Sequence, residues 1–446
     1  MKNKILLFTV LFVTIVQAQD KKQSYSFTLK EAIEHAIQNN YSAINANRDV
    51  AAAKKKKWET TTMGLPQING AVGYQDNFKL QKSLIPAEFF GGAPGTFVPV
   101  TFGTKHNMNS TLTLSQLIFD GSYLVGLQSA KTYLKISENA KVKTAQEIKE
   151  LVINSYGNVL LADESIAILQ KNKTILEKTL SDTKEIYKNG LIEEENVEQL
   201  QITLASVNSS LENVKRQKTI ANDMLKLILG IDLTNDLTLT DKLDVLTQNN
   251  VDLNLLKEEF NVTNNIDYQI GQNLQTSKEL LLKLEKSKAL PSLGAAVNFG
   301  YNAFGNEFKF FTGNQQWFNY SNLGISLNVP IFSSLGRSAR TQQAKIALEQ
   351  SKTELTQTEQ KLKLQFEKAK SDYEFSLEQL ATSKSNLNLA ERIENKNQIK
   401  FKEGLSSSFD LTKAQEQLYS AQQNYLQAMV DVINKKASLE KLLNKN

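Results

Sequence analysis

The stretch Phe401-Lys402-Glu403-Gly404-Leu405 joins two helical sequence patterns, and Tyr187-Lys188-Asn189-Gly190-Leu191 does the same 214 residues earlier. In each stretch the glycine can adopt the left-handed backbone conformation that ends a helix. A helix start follows each glycine, because Ser407 precedes Asp410 by three residues as in a capping box, and Glu193-Glu194-Glu195 places acid in a first turn. The sequence therefore predicts two helical hairpins built on one repeated plan.

The repeated plan divides the chain into two halves. The first repeat is predicted over residues 19–230, with a helix at 28–62, strands at 67–80 and 108–119, a long helix, a tip turn at 188–192 and a last helix. The second repeat is predicted over 263–446, with strands at 292–303 and 320–332 and a tip turn at 402–406. Residues 80–107 are predicted to be a loop, and residues 231–262 an equatorial connector that packs outside the main body. Both long helices carry seven-residue apolar repeats, which favour coiled-coil packing: Ala145-Val152-Val159-Ile166 and Leu348-Leu355-Leu362-Ala369.

The four predicted strands are apolar on one face and small or polar on the other. Leu323, Ile325 and Leu327 alternate with glycine and serine, and the other strands follow the same period of two. Aromatic residues flank the strands, which is typical of a membrane β-barrel with a watery interior. Four strands cannot close a barrel, and open edges are not tolerated in lipid, so we expect three copies to supply twelve strands. A soluble sheet with one buried face is the alternative interpretation.

Composition excludes several classes of function. The chain of 446 residues has no cysteine and a net charge of +5, so it has no disulfide or thiolate site and is too weakly basic to indicate nucleic acid. Residues 1–18 resemble a secretory signal, with Lys2 and Lys4 before an apolar run. His35 and His106 are far apart in sequence and are expected at the surface, and the chain contains no phosphate loop or nucleophile elbow. We therefore predict a protein that is not an enzyme and has no cofactor or metal site.

The doubled plan resembles the TolC-like outer-membrane efflux proteins. The resemblance covers nearly all of the chain after residue 28 and rests on the order of the elements, on Leu65-Pro66 and Leu290-Pro291 before the strands, and on the two glycine-leucine turns. It implies a mainly α fold with a four-stranded β contribution, in which a homotrimer forms a β-barrel in outer membrane lipid and an α-helical tunnel across the periplasm of a Gram-negative bacterium. It also implies two partners, a periplasmic adaptor protein and an inner-membrane pump.

The resemblance assigns roles to the tips. The family's gate aspartate matches Asp410. The family's second acidic gate position is Lys413 in this chain, and a basic position of the family is Ser406. These two departures affect the residues that hold the gate shut. The matching polar position of the first half is Asn196, beside Glu195. Asp410 also has a purely local interpretation as a helix-start acid, and the two roles are compatible.

We expect the adaptor to dock on the residues of the two turns, since both copies keep a leucine after the glycine. The alternative is a local apolar contact that accompanies a glycine cap. These candidate docking residues are Gly190, Leu191, Gly404 and Leu405.

The predicted function is that of a passive outer membrane exit duct in a tripartite efflux or type I secretion system. The alternative, from another class, is a secreted coiled-coil stalk with a structural or adhesive role. The strands distinguish the two, because only the duct needs a lipid-facing sheet.

Overall fold

The computed structural model describes residues 23–445, and the predicted signal at residues 1–18 lies outside them. Helices dominate the described chain. In order they are α1 (Leu29–Asn39), α2 (Tyr41–Thr62), α3 (Gly121–Lys188), α4 (Glu194–Leu229), α5 (Leu243–Asn249), α6 (Ile266–Ser287), α7 (Gly336–Lys402) and α8 (Ser408–Leu442).

The strands form three sheets. They are β1 (Ser24–Phe27), β2 (Gln67–Asp76), β3 (Lys82–Pro86), β4 (Phe97–Thr101), β5 (His106–Asp120), β6 (Asp236–Leu239), β7 (Ser292–Gly305) and β8 (Trp317–Asn328). The main sheet has the order β2-β5-β7-β8 with every pair antiparallel, while β1 pairs with β6 in parallel and β3 pairs with β4. The four predicted amphipathic strands are therefore neighbours in one sheet.

The first predicted helix is in fact two helices that meet at Asn40. The Asn40 backbone is extended (φ −60°, ψ 137°), its side-chain oxygen accepts a hydrogen bond of 2.8 Å from the Ser42 amide, and its side-chain nitrogen donates to the Ile228 carbonyl at 2.7 Å. Asparagine competes with the helix for backbone hydrogen bonds, which explains a break that apolar periodicity does not reveal. The predicted Thr28–Glu31 capping box at the start of α1 is present.

Several strand bounds and one loop differ from the prediction. β2 ends at Asp76, before residue 80, where the side chain of Asn77 turns to donate to the Thr104 carbonyl at 3.0 Å. β8 begins earlier than residue 320 and ends at Asn328, because Pro330 lacks the amide donor that a strand needs. The predicted loop at 80–107 contains the β3–β4 hairpin. Its two strands are short, contain proline and lack a clear alternation of apolar and polar residues.

The chain forms two compact units. The unit that contains the helical tips, here called the tip unit, consists of residues 23–47, Ala140–Gln269 and residues 358–445. The unit that contains the main sheet, here called the sheet unit, consists of Arg48–Asn139 and Ile270–Gln357. Apolar clusters fill the tip unit, and the seven-residue track of α3 supplies the fully buried Val152 and Val159, as its periodicity predicts.

Two buried tyrosines tie the connector to the long helices of the tip unit. The Tyr156 hydroxyl donates at 3.0 Å to the Phe27 carbonyl and to the Asp241 carboxylate. The Tyr373 hydroxyl donates to the Asn250 carbonyl at 2.8 Å and accepts from the Asp252 amide at 2.9 Å. Connector residues Leu243 and Leu255 are themselves buried in core clusters, so the connector belongs to the hydrophobic core rather than to an outer layer.

Candidate functional site

Both glycine turns in the tip unit have the same backbone geometry. Gly190 and Gly404 have φ of +71° and +72°, the left-handed region. The Leu191 amide donates to the Ile186 carbonyl at 3.3 Å, and the Leu405 amide donates to the Lys400 carbonyl at 2.8 Å. Each glycine amide also bonds to the carbonyl three residues earlier. These paired bonds define a Schellman motif in both halves, so the predicted helix ends are confirmed.

The leucine that follows each glycine is exposed. Leu191 and Leu405 expose 74% and 76% of their surface. A Schellman motif often packs this residue against an apolar side chain five or six positions earlier, and here those side chains are Ile186 and Ile399. Such a contact covers little of either leucine, since both keep about three quarters of their surface exposed, and two large apolar side chains remain open to water at the tips.

Asp410 closes a capping box at the start of α8. Its carboxylate accepts from the Ser407 amide at 3.2 Å and from the Ser407 hydroxyl at 2.9 Å, while the Asp410 amide donates to that hydroxyl at 3.3 Å. The local role of this acid is thus present in the fold. The side chain is nevertheless exposed, as are those of Lys413 one turn later and Glu195 on α4, so their charges face solvent.

Asn196 joins the first turns of α4 and α8. Its side-chain oxygen accepts a hydrogen bond of 3.1 Å from the Ser408 backbone amide, and its side-chain nitrogen donates to the Glu193 carbonyl at 3.3 Å. Deeper between the same helices, the Thr203 hydroxyl donates to the Thr412 hydroxyl at 3.5 Å. Of the four candidate gate residues, Asn196 alone makes a described hydrogen bond between the two hairpins.

Buried polar groups behind the tips were not recognised from sequence as a cluster. Gln415 on α8 is 1% exposed, and Glu394 on α7 lies beside it. Burial raises the pKa of the Glu394 carboxyl, and the Gln415 amide and the Lys402 charge oppose that rise only in part. Burial likewise raises the pKa of the Tyr419 hydroxyl. The packing that positions the tips thus contains a carboxyl whose charged form is disfavoured.

Replacing Asn196 by alanine is expected to loosen the contact between the hairpins. The variant leaves the partly buried Ser408 amide without its acceptor, at a cost of about 1–3 kcal/mol per chain. We expect a lower midpoint of thermal unfolding, measured by circular dichroism on the purified protein. Asn196→Asp is the matched control, because it keeps an acceptor oxygen. Equal midpoints for Asn196→Ala and the parent chain would show that this hydrogen bond does not hold the two hairpins together.

The fold of this chain matches that of known outer membrane channels. The family model described as "Outer membrane efflux protein" matches residues 32–231 and 280–445. The outer membrane protein TolC of Vibrio cholerae is 21% identical over 343 residues, which are 76% of this chain and 72% of that protein. This chain therefore belongs to the outer membrane efflux protein family.

Solved structures share the fold over nearly the whole chain. The transmembrane channel protein CusC superposes with a TM-score of 0.76 at 17% identity, covering 95% of this chain and 93% of that one. The outer membrane channel CmeC of Campylobacter jejuni gives a TM-score of 0.73 at 16% identity, covering 94% and 85%. Through residues 23–445, no helix combines the length and apolar character needed to cross a membrane.

Proposed function

We propose that this protein is the outer membrane exit duct of a tripartite efflux or type I secretion system, built from three copies. Its family consists of outer membrane efflux proteins, a class of channels and not of enzymes. One structural observation supports the proposal: the main sheet has an apolar face that residues 23–445 leave unburied. The domain plan predicted from sequence, two repeats and a connector, belongs to this proposal.

The apolar face of the sheet is open to its surroundings. Cross-strand partners place Ile68, Leu114, Val297 and Leu323 in one row on one face. Ile68 exposes 68% of its surface, and Ile325 on the same face exposes 67%. Such a large exposed apolar surface marks an interaction with lipid or protein. Lipid acyl chains would cover this apolar surface along the full length of the strands.

The opposite face is polar and uncharged. Thr113, Asn298 and Asn322 form one cross-strand row, in which the Thr113 hydroxyl donates to the Asn298 side chain at 2.8 Å and Asn298 donates to Asn322 at 3.0 Å. Acidic side chains occur in the four strands only at two strand ends, Asp76 and Asp120, and lysine and arginine do not occur in these strands. A face of hydroxyl and amide groups suits contact with water, as inside a barrel.

The free edges of the sheet support association of several copies. β2 and β8 each have a single strand partner in the sheet, so each leaves one edge without hydrogen bonds to described residues. Unpaired backbone groups cost several kcal/mol each in lipid, and joining β8 of one copy to β2 of the next would satisfy them. Three copies would give a closed ring of twelve strands.

The exposed residues at the tips indicate which partners the duct would have. A periplasmic adaptor would cover Leu191 and Leu405, and an inner-membrane pump would supply the energy for transport. The exposed charges of Glu195, Asp410 and Lys413, repeated in three copies, would form the electrostatic lining of a periplasmic gate.

Membrane fractionation and bilayer recording test the proposal together. We expect the protein in the outer membrane fraction, a trimer after detergent extraction, and discrete conductance steps in a planar bilayer. A monomer that stays soluble and elongated without detergent would refute the duct and favour the secreted stalk. The exposed apolar face argues against the stalk, since a soluble protein would leave that face in water.

Removing the gate charges is expected to change ion selectivity. Asp410→Asn removes a negative charge from each copy while keeping an oxygen that can accept from the Ser407 amide, so the helix cap is retained. Lys413→Ala removes a positive charge. We expect Asp410→Asn to lower the preference for cations and Lys413→Ala to raise it, measured as reversal potentials in a salt gradient. Lys413→Arg is the control, and unchanged reversal potentials in both variants would place the gate elsewhere.

A further inference from the structure

Helices α2 and α3 of the sheet unit border an open groove of about 1030 Å³. Its lining combines small residues such as Ala130 with two exposed aromatic side chains, two lysines and one glutamate, which are Trp58, Tyr133, Lys55, Lys56 and Glu59. Trp58 exposes 59% of its surface although tryptophan is a strongly apolar residue. The groove thus presents an apolar floor with positive charge at its border, which fits an amphiphile with an anionic head.

The groove lies close to the main sheet. α2 ends at Thr62 and β2 begins at Gln67, so Lys55 and Lys56 lie about 10 Å from the helix end at 1.5 Å per residue. Between them and the strand, Met63 and Leu65 are exposed. Going from β2 back towards α2, the apolar strand face comes first, then the exposed apolar junction, then the lysines. Acyl chains and then charged headgroups follow in the same order across a membrane boundary.

Basic residues dominate all four helix segments that adjoin the sheet. In 52–62, 121–135, 278–290 and 331–345 the acidic residues are only Glu59, Glu279 and Glu285. The basic residues of these segments are Lys54, Lys55, Lys56, Lys57, Lys131, Lys135, Lys278, Lys283, Lys286, Lys288, Arg337, Arg340 and Lys345. Such an excess of Lys and Arg beside a membrane attracts anionic headgroups.

The two lysines of the groove are available to a ligand. Lys56 pairs with Glu59 at 2.9 Å, but both side chains are more than half exposed, and surface pairs of this kind contribute little. Lys55 has no carboxylate partner within 4.0 Å among residues 23–445. A phosphate between the two ammonium groups would therefore gain charge-assisted hydrogen bonds without breaking a strong ion pair.

We propose that this groove binds an anionic phospholipid of the leaflet that faces the periplasm. Its phosphate lies between Lys55 and Lys56, its glycerol lies against Trp58 and Tyr133, and its acyl chains extend past Met63 and Leu65. The inference rests on the proposed function, which sets the membrane at the level of the main sheet. The negative charge of the headgroup complements the basic helix segments. Helix α2 of a second copy would bring its own lysines to the groove and be repelled, so a lipid fits this groove better.

Fluorescence quenching by brominated lipids tests the inference at the groove itself. The chain has two tryptophans, so a Trp317→Phe background leaves Trp58 as the sole tryptophan. The trimer would be reconstituted into phosphatidylcholine vesicles that contain the same fraction of brominated phosphatidylglycerol or brominated phosphatidylcholine. We expect stronger quenching by the anionic lipid, with a preference of about fivefold per lysine that falls as salt is raised.

The variants Lys55→Gln and Lys56→Gln together should remove the preference while zwitterionic lipid still quenches. Lys171→Gln and Lys178→Gln, two exposed lysines on α3 in the tip unit, form the matched control and should keep it. Equal quenching by both lipids in the parent chain would overturn the inference. Absence of Trp58 quenching by either lipid would also overturn it, because the groove would then be covered by another copy of the chain. Conductance of the same vesicles separates the two proposals, since a conducting trimer without lipid preference refutes only the lipid site.

Discussion

Replacing Gly404 by valine is expected to abolish export. The residue has φ of +72°, and a Cβ atom added to it would meet no other atom within 4 Å, so the backbone conformation alone opposes the change. A left-handed conformation costs an ordinary residue about 1–2 kcal/mol, and a β-branched residue more. The helix would end differently, which would displace Leu405 and the first turn of α8. We expect accumulation of a pump substrate to reach the level of cells that lack the duct.

Three comparisons make the Gly404 result interpretable. Gly190→Val should have the same effect, because its φ is +71° and its surroundings are equally open. Gly404→Asn should retain much of the activity, since asparagine tolerates the left-handed region. Gly70→Val is the control for added bulk, at a strand glycine with open space and an ordinary φ. Normal export by trimers that carry both valine substitutions at the tips would contradict the assignment of these turns.

Changing Leu191 and Leu405 to aspartate is expected to eliminate adaptor binding while leaving the channel intact. Complete burial of a leucine contributes about 1.5–3 kcal/mol, and three copies would present six such side chains to adaptors. Aspartate removes that contribution and adds charge to an interface that must exclude water. Both leucines are about three-quarters exposed, so the variant should assemble normally. The measurements are recovery of the adaptor in cross-linked complexes, export from cells, and conductance of the purified trimer.

Leu364→Asp provides the matched control for the leucine variant. Leu364 is also a strongly exposed leucine of the tip unit, but it lies within α7 and away from the turns. It should leave adaptor recovery unchanged. The Leu191→Met and Leu405→Met pair should retain most binding, because methionine keeps the apolar surface. Full adaptor recovery with the aspartate pair would move the docking surface away from the glycine turns.

Much of the fold could be predicted because its signals are local. A glycine that requires φ > 0 and a seven-residue apolar repeat each depend on a few neighbouring residues. These signals predicted both Schellman turns, the long helices to within a few residues and four amphipathic strands. The Ser407–Asp410 capping box was predictable for the same reason, since a three-residue spacing fixes the geometry of both hydrogen bonds.

The errors concern residues whose partners are distant in sequence. Asn40 breaks a helix partly by bonding to Ile228, and Ser24–Phe27 becomes a strand only because residues 236–239 lie beside it. His106 was expected at the surface, but the Tyr74 hydroxyl lies 2.9 Å from its ring nitrogen and the side chain is buried. The spacing of apolar residues along the chain does not predict such contacts, because they depend on where other elements pack.

The sequence by itself determined the class of this protein: two helical hairpins in a doubled plan, strands with one apolar face, and a chain without catalytic motifs. Tertiary structure alone decided which residues act together. It joined Asn196 to the Ser408 amide, buried Gln415 beside Glu394, and left Leu191 and Leu405 in solvent. The physical reason is the distance along the sequence over which each feature is set. Periodicity and capping follow from neighbouring residues, whereas hydrogen bonds between helices can join residues as distant as Asn196 and Ser408, which are 212 positions apart.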